Sequence, residues 1–419
     1  MFQPHARVAV AIPVAGVSDP GILGKTLASL RPTTLRPTTV CLWPAKRVAL
    51  LMLPLVACLS VAGVTRAANP PQRLGPDPER FGAVVEKAIG YLRTAGQADD
   101  GSFSKAAGPG VTALVTTGIL RTGRTADDPL VAASLKYLLT FVQPDGGIYP
   151  PQSRYQNYET CLAMLCLREA NRDGRYSDLL AKADRFVKGL QWDDGEGHGP
   201  SSESYGGAGY GSHKRPDLSN TQFLIDALKA AGNGPDDPAI QRALVFVSRC
   251  QNLETEHNTT PFAAKNPDGG FYYTCAAGGN SQAGPTPEGG LRSYGSMTYA
   301  GLKSMIHAGV GPDDPRVKAA LDWLRKFYDL KSNPGMGDAG LYYYYHTFAK
   351  ALDAVGQDVF EDASGAKHDW RRELFDELTS RQNPNGSWIN TNSRWLEGDP
   401  NLVTGYALLA LSYCRAARP

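Results

Sequence analysis

One seven-residue pattern recurs along this chain: QADDGSF at 97–103, QPDGGIY at 143–149 and QNPNGSW at 382–388. Each copy reads glutamine, three residues, glycine, one residue, aromatic. A pattern that returns along most of a chain is the signature of a repeat protein, so we expect six copies of one unit. Looser copies of the pattern begin at Gln191, Asn266 and Asn333.

A second pattern alternates with the first and consists of apolar runs that open with threonine. The run TGYALLALSY at 404–413 is apolar on nearly every side, which a helix tolerates only when both of its faces are covered. These runs therefore predict buried inner helices. They begin at Thr112, Thr160, Thr221, Thr298, Thr347 and Thr404.

The segment before each turn predicts a different, half-buried helix. In 315–328, for example, apolar residues are spaced three and four apart with charges between them. Several of these segments start with Asp-Pro, at 128–129, 237–238 and 314–315, which places a capping acid before a proline at the first helical position.

Each unit is thus an outer helix, a glutamine/glycine turn and an inner helix. The sequence predicts an all-α fold, a closed (α/α)6 toroid in which six outer helices surround six inner ones. The alternative is an open solenoid of helix pairs, which needs polar capping repeats at its ends. The first and last units look ordinary, and this favours the ring.

The turns resemble the QW repeats of squalene-hopene and oxidosqualene cyclases. From about 78 to 415 the chain is similar to the prenyltransferase and squalene-oxidase repeat superfamily. The resemblance implies that the glutamine joins the end of one outer helix to the next helix, while the aromatic residue stacks against it. The same toroid hosts terpene cyclases, protein prenyltransferases and polysaccharide-active enzymes, so the fold alone does not define a function.

The chemical motifs of these families are only partly present. No Asp-x-Asp-Asp, the proton-donating motif of squalene-hopene cyclases, occurs in the sequence. The stretch 345–347 (YHT) resembles half of the zinc site of protein prenyltransferase β subunits, but 290–297 lacks the Asp-x-Cys of the other half. We therefore expect neither a metal nor a cofactor, and the sequence leaves open whether the protein is an enzyme.

The residues that precede the six threonines should ring one mouth of the central cavity. Because units two and five are opposite in a six-unit ring, Glu159 and His346 are predicted to face each other as catalytic acid and base. The competing interpretation gives both a structural role, as helix-cap or hydrogen-bonded groups. The predicted pocket residues around them are Tyr155, Tyr158, Asn220, Tyr342 and Tyr345.

The N-terminus predicts export. A basic pair at 46–47 precedes an apolar run of signal-peptide length. The segment 46–68 is either a signal peptide or a lipoprotein signal, since Cys58 lies in a lipobox-like sequence and would then carry the lipid. We expect a disordered leader at 1–45, a linker at 69–77 and the toroid at 78–419, in the periplasm or cell envelope.

Composition excludes several classes of partner. The net charge of the 419 residues is +2, but 1–68 holds seven basic side chains and one acidic one, so the remainder is mildly acidic. Nothing favours binding to nucleic acid, and membrane contact is expected only through the lipid anchor. Among the cysteines of the body, Cys250 and Cys275 flank one long turn and are a candidate pair.

Three functional hypotheses follow. The first is an exported enzyme that handles a long apolar, isoprenoid ligand in the lumen by proton-transfer or cyclase-type chemistry. The second is a non-catalytic lipid- or protein-binding toroid of the cell envelope, supported by the missing Asp-x-Asp-Asp. The third, a polysaccharide lyase or hydrolase, ranks last because Glu159 is the one lumen carboxylate that the sequence indicates.

Overall fold

The computed structural model describes residues 74–211 and 215–415. The leader, the signal segment and Cys58 lie outside the described residues, so export and acylation stay predictions. Within the described ranges no helix is both long and apolar enough to cross a bilayer.

Twelve α-helices dominate the described residues, as the alternating patterns predict. A π-helical turn, Leu92–Gly96, extends the first, and one short hairpin pairs β1 (Phe360–Glu361) with β2 (Lys367–His368). Four 3-10 turns cover Lys105–Ala107, Asp194–Glu196, Ala263–Lys265 and Arg394–Leu396. The helices are Pro78–Tyr91 (α1), Pro109–Arg121 (α2), Pro129–Leu139 (α3), Gln156–Ala170 (α4), Ser177–Lys188 (α5), Leu218–Ala230 (α6), Pro238–Arg249 (α7), Gly295–His307 (α8), Pro315–Lys326 (α9), Leu341–Val355 (α10), Trp370–Ser380 (α11) and Pro400–Cys414 (α12).

Burial separates the helices into two layers. In α2 every residue from Pro109 to Leu120 is buried, whereas α5 buries only Leu180, Ala183 and Val187. The odd-numbered, amphipathic helices pack against the even-numbered ones. At their N-termini Asp128, Asp237 and Asp314 accept backbone N–H bonds, which confirms the Asp-Pro caps.

The even-numbered helices contact one another in a cycle. The helix α2 packs on α4, α4 on α6, α6 on α8, α8 on α10, and α10 on α12. The last of them, α12, packs on α2. The first and last inner helices of the chain are therefore neighbours.

The glutamine of the turn links neighbouring units. Gln97 Nε2 donates to the carbonyl of Leu130, at the start of the next outer helix, at 2.8 Å. The last of these bonds returns to the first outer helix, because Gln382 Nε2 donates to Val84 O at 3.1 Å. The same bond joins Gln191 to Ala239 and Gln251 to Arg316.

The glycine of the turn is required by both conformation and space. Gly101 has φ +88°, and a Cβ there would lie 2.3 Å from the carbonyl oxygen of Ala133 in the next outer helix. Gly386 has φ +96°, and its Cβ would lie 2.2 Å from Lys87 O in α1. Only glycine lets the turn approach the neighbouring helix so closely.

The threonine that begins the apolar run of an inner helix fixes the register of the turn in five of the six units. Thr112 Oγ1 accepts the backbone N–H of Phe103 at 2.9 Å, and Thr404 Oγ1 accepts that of Trp388 at 3.1 Å. Thr347 is an exception and donates to Tyr344 O within its own helix. Equivalent bonds join Thr160 to Ile148, Thr221 to Ala208 and Thr298 to Phe271.

This register corrects three of the predicted turns. Ile148 and Phe271, not Tyr149 and Tyr272, occupy the aromatic position. In the fourth turn Gln251, rather than Asn266, makes the glutamine bond. In the third turn Gln191 bonds Gly206 O, because an insertion separates the glutamine from the glycine. The predicted Gly195 is therefore not the turn glycine.

Candidate functional site

A small cavity lies between the inner helices. Its volume is about 40 Å³, space for roughly three water molecules. Pockets for larger ligands need about 300–1,000 Å³. Five inner helices contribute its lining: Leu114, Thr117 and Arg121 from α2, Leu162, Leu165 and Glu169 from α4, Phe223 from α6, His346 and Lys350 from α10, and Leu409 from α12.

Aromatic side chains fill the space between the inner helices above this cavity. The Phe223 ring contacts those of Tyr158 and Tyr343, at 5.7 and 6.4 Å between ring centroids. Tyr343 contacts Tyr406, which in turn contacts His346. The tyrosine rings thus contact one another between the inner helices, and the cavity beside His346 is much smaller than the predicted lumen.

A buried ionic cluster crosses the same region. Asp226 of α6 lies 2.7 Å from Lys303 Nζ and 2.5 Å from Lys350 Nζ, and His307 Nδ1 lies 3.2 Å from its second oxygen. Burial raises the pKa of Asp226, but the two lysines outweigh this effect and hold the pKa well below its usual value. Three inner helices, α6, α8 and α10, are therefore joined through one carboxylate.

His346 lies within this packed centre. Its side chain is buried, and Nδ1 has no hydrogen-bond partner among the described residues. Burial, and then the positive charge of Lys350, hold the pKa of His346 well below its usual value. The imidazole is therefore neutral at physiological pH and does not carry the proton that an acid catalyst needs.

Glu159 lies in a different environment. Its Oε2 accepts a hydrogen bond of 2.6 Å from Ser153 Oγ, and its Oε1 lies against Gly108, the N-cap of α2. Burial raises the pKa of Glu159 to about 7, although the Ser153 bond opposes the shift. Glu159 does not line the central cavity, so the structure does not bring it together with His346 there.

Tyr342 and Tyr345 point away from the centre, contrary to prediction. Tyr345 OH donates to Leu330 O, outside the inner layer, and the Tyr342 ring packs on that of Tyr345. The reason is helical geometry: Tyr343, His346 and Lys350 are three and four residues apart and share one face of α10. Tyr345, one residue before His346, is rotated by about 100° from it and faces outward; Tyr342 follows the Tyr345 ring.

The remaining predicted residues lie near the N-terminal ends of the inner helices. The Tyr155 and Tyr158 rings both contact Tyr210, and the Tyr158 and Tyr406 hydroxyls hydrogen-bond. Asn220 is buried and donates to Asp217 Oδ2 at 2.8 Å, while its own Oδ1 has no partner in the described structure. Asn220 thus supports Asp217, the N-cap of α6.

These residues define what we call the tyrosine face: Tyr155, Tyr158, Tyr210, Tyr273 and Tyr343, together with Asp217. The side chain of Tyr210 is 36% exposed, yet burial still raises its pKa. A group that is both exposed and surrounded by protein lies in a concave surface. Tyr158, Tyr273 and Tyr343 are likewise only partly buried.

Asp217 is the titratable group of this face that the sequence analysis missed. Burial raises its pKa to about 6, against hydrogen bonds from Asn220 and Tyr273. An acid directly before a helix is ordinarily a cap, and Asp217 is one. Its position beside three tyrosines depends on the loop that carries Tyr273, which the sequence pattern does not place.

The comparisons with known proteins agree with the repeat pattern. Residues 81–276 match the family model of the squalene-hopene cyclase C-terminal domain. The chain thus resembles the squalene-hopene cyclase-like part of the prenyltransferase and squalene-oxidase repeat superfamily, as its turns predict. No curated protein matches the chain significantly.

Several solved structures match about four fifths of this chain at low identity. A glycosyl hydrolase family 88 protein from Bacteroides vulgatus has a TM-score of 0.50 at 9% identity, over 80% of this chain and 98% of its own. A polysaccharide lyase has a TM-score of 0.49 at 9% identity, covering 80% and 96%. The type II terpene cyclase MstE from Scytonema, in complex with geranylgeranyl dihydroxybenzoate, has a TM-score of 0.31 at 14% identity, covering 80% and 97%. At 9% identity, the similarity to the glycosyl hydrolase indicates a shared fold and does not indicate a shared function.

The raised pKa of Glu159 predicts a pH-dependent stability. The folded state holds the Glu159 proton more tightly than the unfolded state does. The contribution of Glu159 to the free energy of unfolding is therefore greatest below about pH 4.5 and falls as the pH rises toward 7. Glu159→Gln removes the cost of burying the charge. When the pH is raised from 4.5 to 8, the free energy of unfolding of this variant relative to the wild type should increase by roughly 3 kcal/mol.

Urea unfolding at the two pH values measures this difference. The exposed Glu254 gives a matched control, and Glu254→Gln should follow the wild type at both pH values. An equal effect of Glu159→Gln at pH 4.5 and pH 8 would show that the carboxyl is not held in a desolvated site.

Proposed function

We propose that the six units form a closed (α/α)6 toroid. Two independent sets of contacts support closure. In the inner layer α12 packs on α2, and between the last and first units Gln382 bonds the carbonyl of Val84 in α1. An open solenoid would leave both ends without a partner.

We propose that this toroid binds an apolar, isoprenoid-type ligand at its tyrosine face and does not cyclise it. The filled centre carries the proposal. A cavity of about 40 Å³ cannot enclose a chain of fifteen or more carbon atoms, whereas ligand pockets measure about 300–1,000 Å³. The family match supports the ligand class, and the partly exposed tyrosines offer aromatic surface with hydroxyls for a polar end group.

The chemistry of cyclisation also lacks its acid. Squalene-hopene cyclases, which the chain resembles, use Asp-x-Asp-Asp, and the sequence has none. His346 is neutral and buried, and its neighbours Lys350 and Arg121 are cations that disfavour a second positive charge. Stabilising a carbocation there would require electrostatics of the opposite sign.

A second function, action on a polysaccharide, is favoured by one observation. Asp217 and Glu159, with pKa values raised to about 6 and about 7, lie at the N-terminal ends of two neighbouring inner helices, α6 and α4. A carboxylic acid that keeps its proton near neutral pH is what general acid catalysis on a glycosidic bond needs. This supplies the second carboxylate that the sequence analysis did not find.

Lipid binding distinguishes the two candidates. Purified protein is incubated with geranylgeraniol in detergent micelles, recovered by gel filtration and extracted for mass spectrometry. We expect retained, chemically unaltered geranylgeraniol, and an about tenfold weaker retention for Tyr210→Ala, which removes one aromatic surface. The control is Phe327→Ala, which removes a ring of similar exposure, 39%, from the outer layer and should not change retention.

Three outcomes would contradict lipid binding without cyclisation. They are a cyclised product, no retained lipid, or equal loss of binding in both variants. If the protein instead releases fragments from acidic polysaccharides, and Asp217→Asn abolishes the release, the second function is correct.

We also propose that the chain is exported and held in the cell envelope. The basic pair at 46–47, the apolar run and Cys58 support this proposal. N-terminal analysis of the mature protein should find a start at an acylated Cys58 or after residue 68. A mature protein that still contains residues 46–68 would contradict export.

A further inference from the structure

Two buried thiols face each other in the fourth turn. Cys250 Sγ and Cys275 Sγ are 4.0 Å apart, and neither residue is exposed to solvent. Cys250 is the C-cap of α7, and Cys275 lies in the long segment between α7 and α8.

Hydrogen bonds on both sides hold this contact in place. Tyr272 N donates to Cys250 O at 3.1 Å, and Tyr272 OH donates to Arg249 O at 2.6 Å. The carbonyl of Asn280 accepts from Thr274 N at 3.1 Å, next to Cys275. The two cysteines therefore meet because the backbone around each is anchored, and not through a loose loop.

The other cysteines with a hydrogen bond in the described residues lie within inner helices. Cys161 Sγ contacts Asn157 Oδ1, and Cys414 Sγ contacts Ala410 O, each one turn earlier in its own helix. The Cys250 and Cys275 thiols differ because they lie next to each other although 25 positions of sequence separate them. This pairing distinguishes them from packed core cysteines.

We propose that Cys250 and Cys275 form a disulfide when the protein folds in an oxidising compartment. The sulfurs must approach from 4.0 Å to about 2.05 Å. The bond would tie the end of α7 to the segment that carries Tyr273 and so fix one edge of the tyrosine face. The inference does not depend on the proposed ligand.

The step is a thiol–disulfide exchange with a small disulfide such as oxidised glutathione. One cysteine thiolate attacks the glutathione disulfide and releases one glutathione thiolate; the second cysteine thiolate attacks the mixed disulfide and releases the other. The two cysteines lose two protons and two electrons in total, and oxidised glutathione takes them up as two reduced molecules. Both sulfurs are buried in the folded protein, so the bond forms while the segment 251–294 is still open.

The test is refolding of the full chain with and without the oxidant. Protein refolded in a mixture of reduced and oxidised glutathione is alkylated without reduction, digested and analysed by mass spectrometry. We expect one peptide pair joined through Cys250 and Cys275, and a Tm about 5 °C above that of protein refolded in dithiothreitol. Alkylation of both thiols in the oxidised sample would overturn the proposal.

Variants separate this bond from other redox effects. The double variant Cys250→Ala and Cys275→Ala should show the same Tm under both conditions, whereas Cys414→Ala should keep the difference. A redox-dependent Tm that persists in the double variant would assign the effect to other cysteines. If the double variant does not fold, the peptide map of the wild-type protein decides alone.

Discussion

The fold depends on one side-chain hydrogen bond, which the glutamine of four of the six turns donates to a backbone carbonyl of the next outer helix. Gln97, Gln191 and Gln251 make it to α3, α7 and α9, and Gln382 makes it to α1. Each bond contributes about 0.5–1.5 kcal/mol net. Its larger effect is geometric, because it specifies which outer helix lies against each of these four turns, and the turn glycine allows the close approach.

The contacts between neighbouring units also set how much space remains between the inner helices. Here leucines, aromatic rings and Lys350 of the Asp226 cluster leave a cavity of only about 40 Å³ beside His346. A buried ionic cluster gives little net stability, but losing one partner is costly, so it specifies how α6, α8 and α10 pack. The ligand site that we propose therefore lies outside the lumen, at the concave end where Tyr210 is exposed and Asp217 holds a raised pKa.

The sequence predicted the repeats, the two helical layers and the Asp-Pro caps, because periodicity and capping act over a few residues. It placed the aromatic position one residue late at Tyr149 and Tyr272, since each of those turns has two adjacent glycines, at 146–147 and 269–270, and the first of each pair is the one that packs on the next outer helix. It also treated Tyr342 and Tyr345 as lumen residues, because a run of four tyrosines does not reveal which one shares a face with His346. The Asp226 cluster joins helices far apart in sequence, and no local signal indicates it.

The central claim is that the first and last inner helices are neighbours in a closed ring, and a designed cross-link tests it most directly. A Cβ at Gly118 of α2 would lie 3.0 Å from Leu408 Cβ of α12, close to the separation of about 3.5–4.5 Å found in disulfides. Oxidative refolding of the variant Gly118→Cys with Leu408→Cys should therefore give a cross-linked peptide pair, absent from Gly118→Cys alone. Free thiols at both positions in the folded double variant would contradict the closed ring.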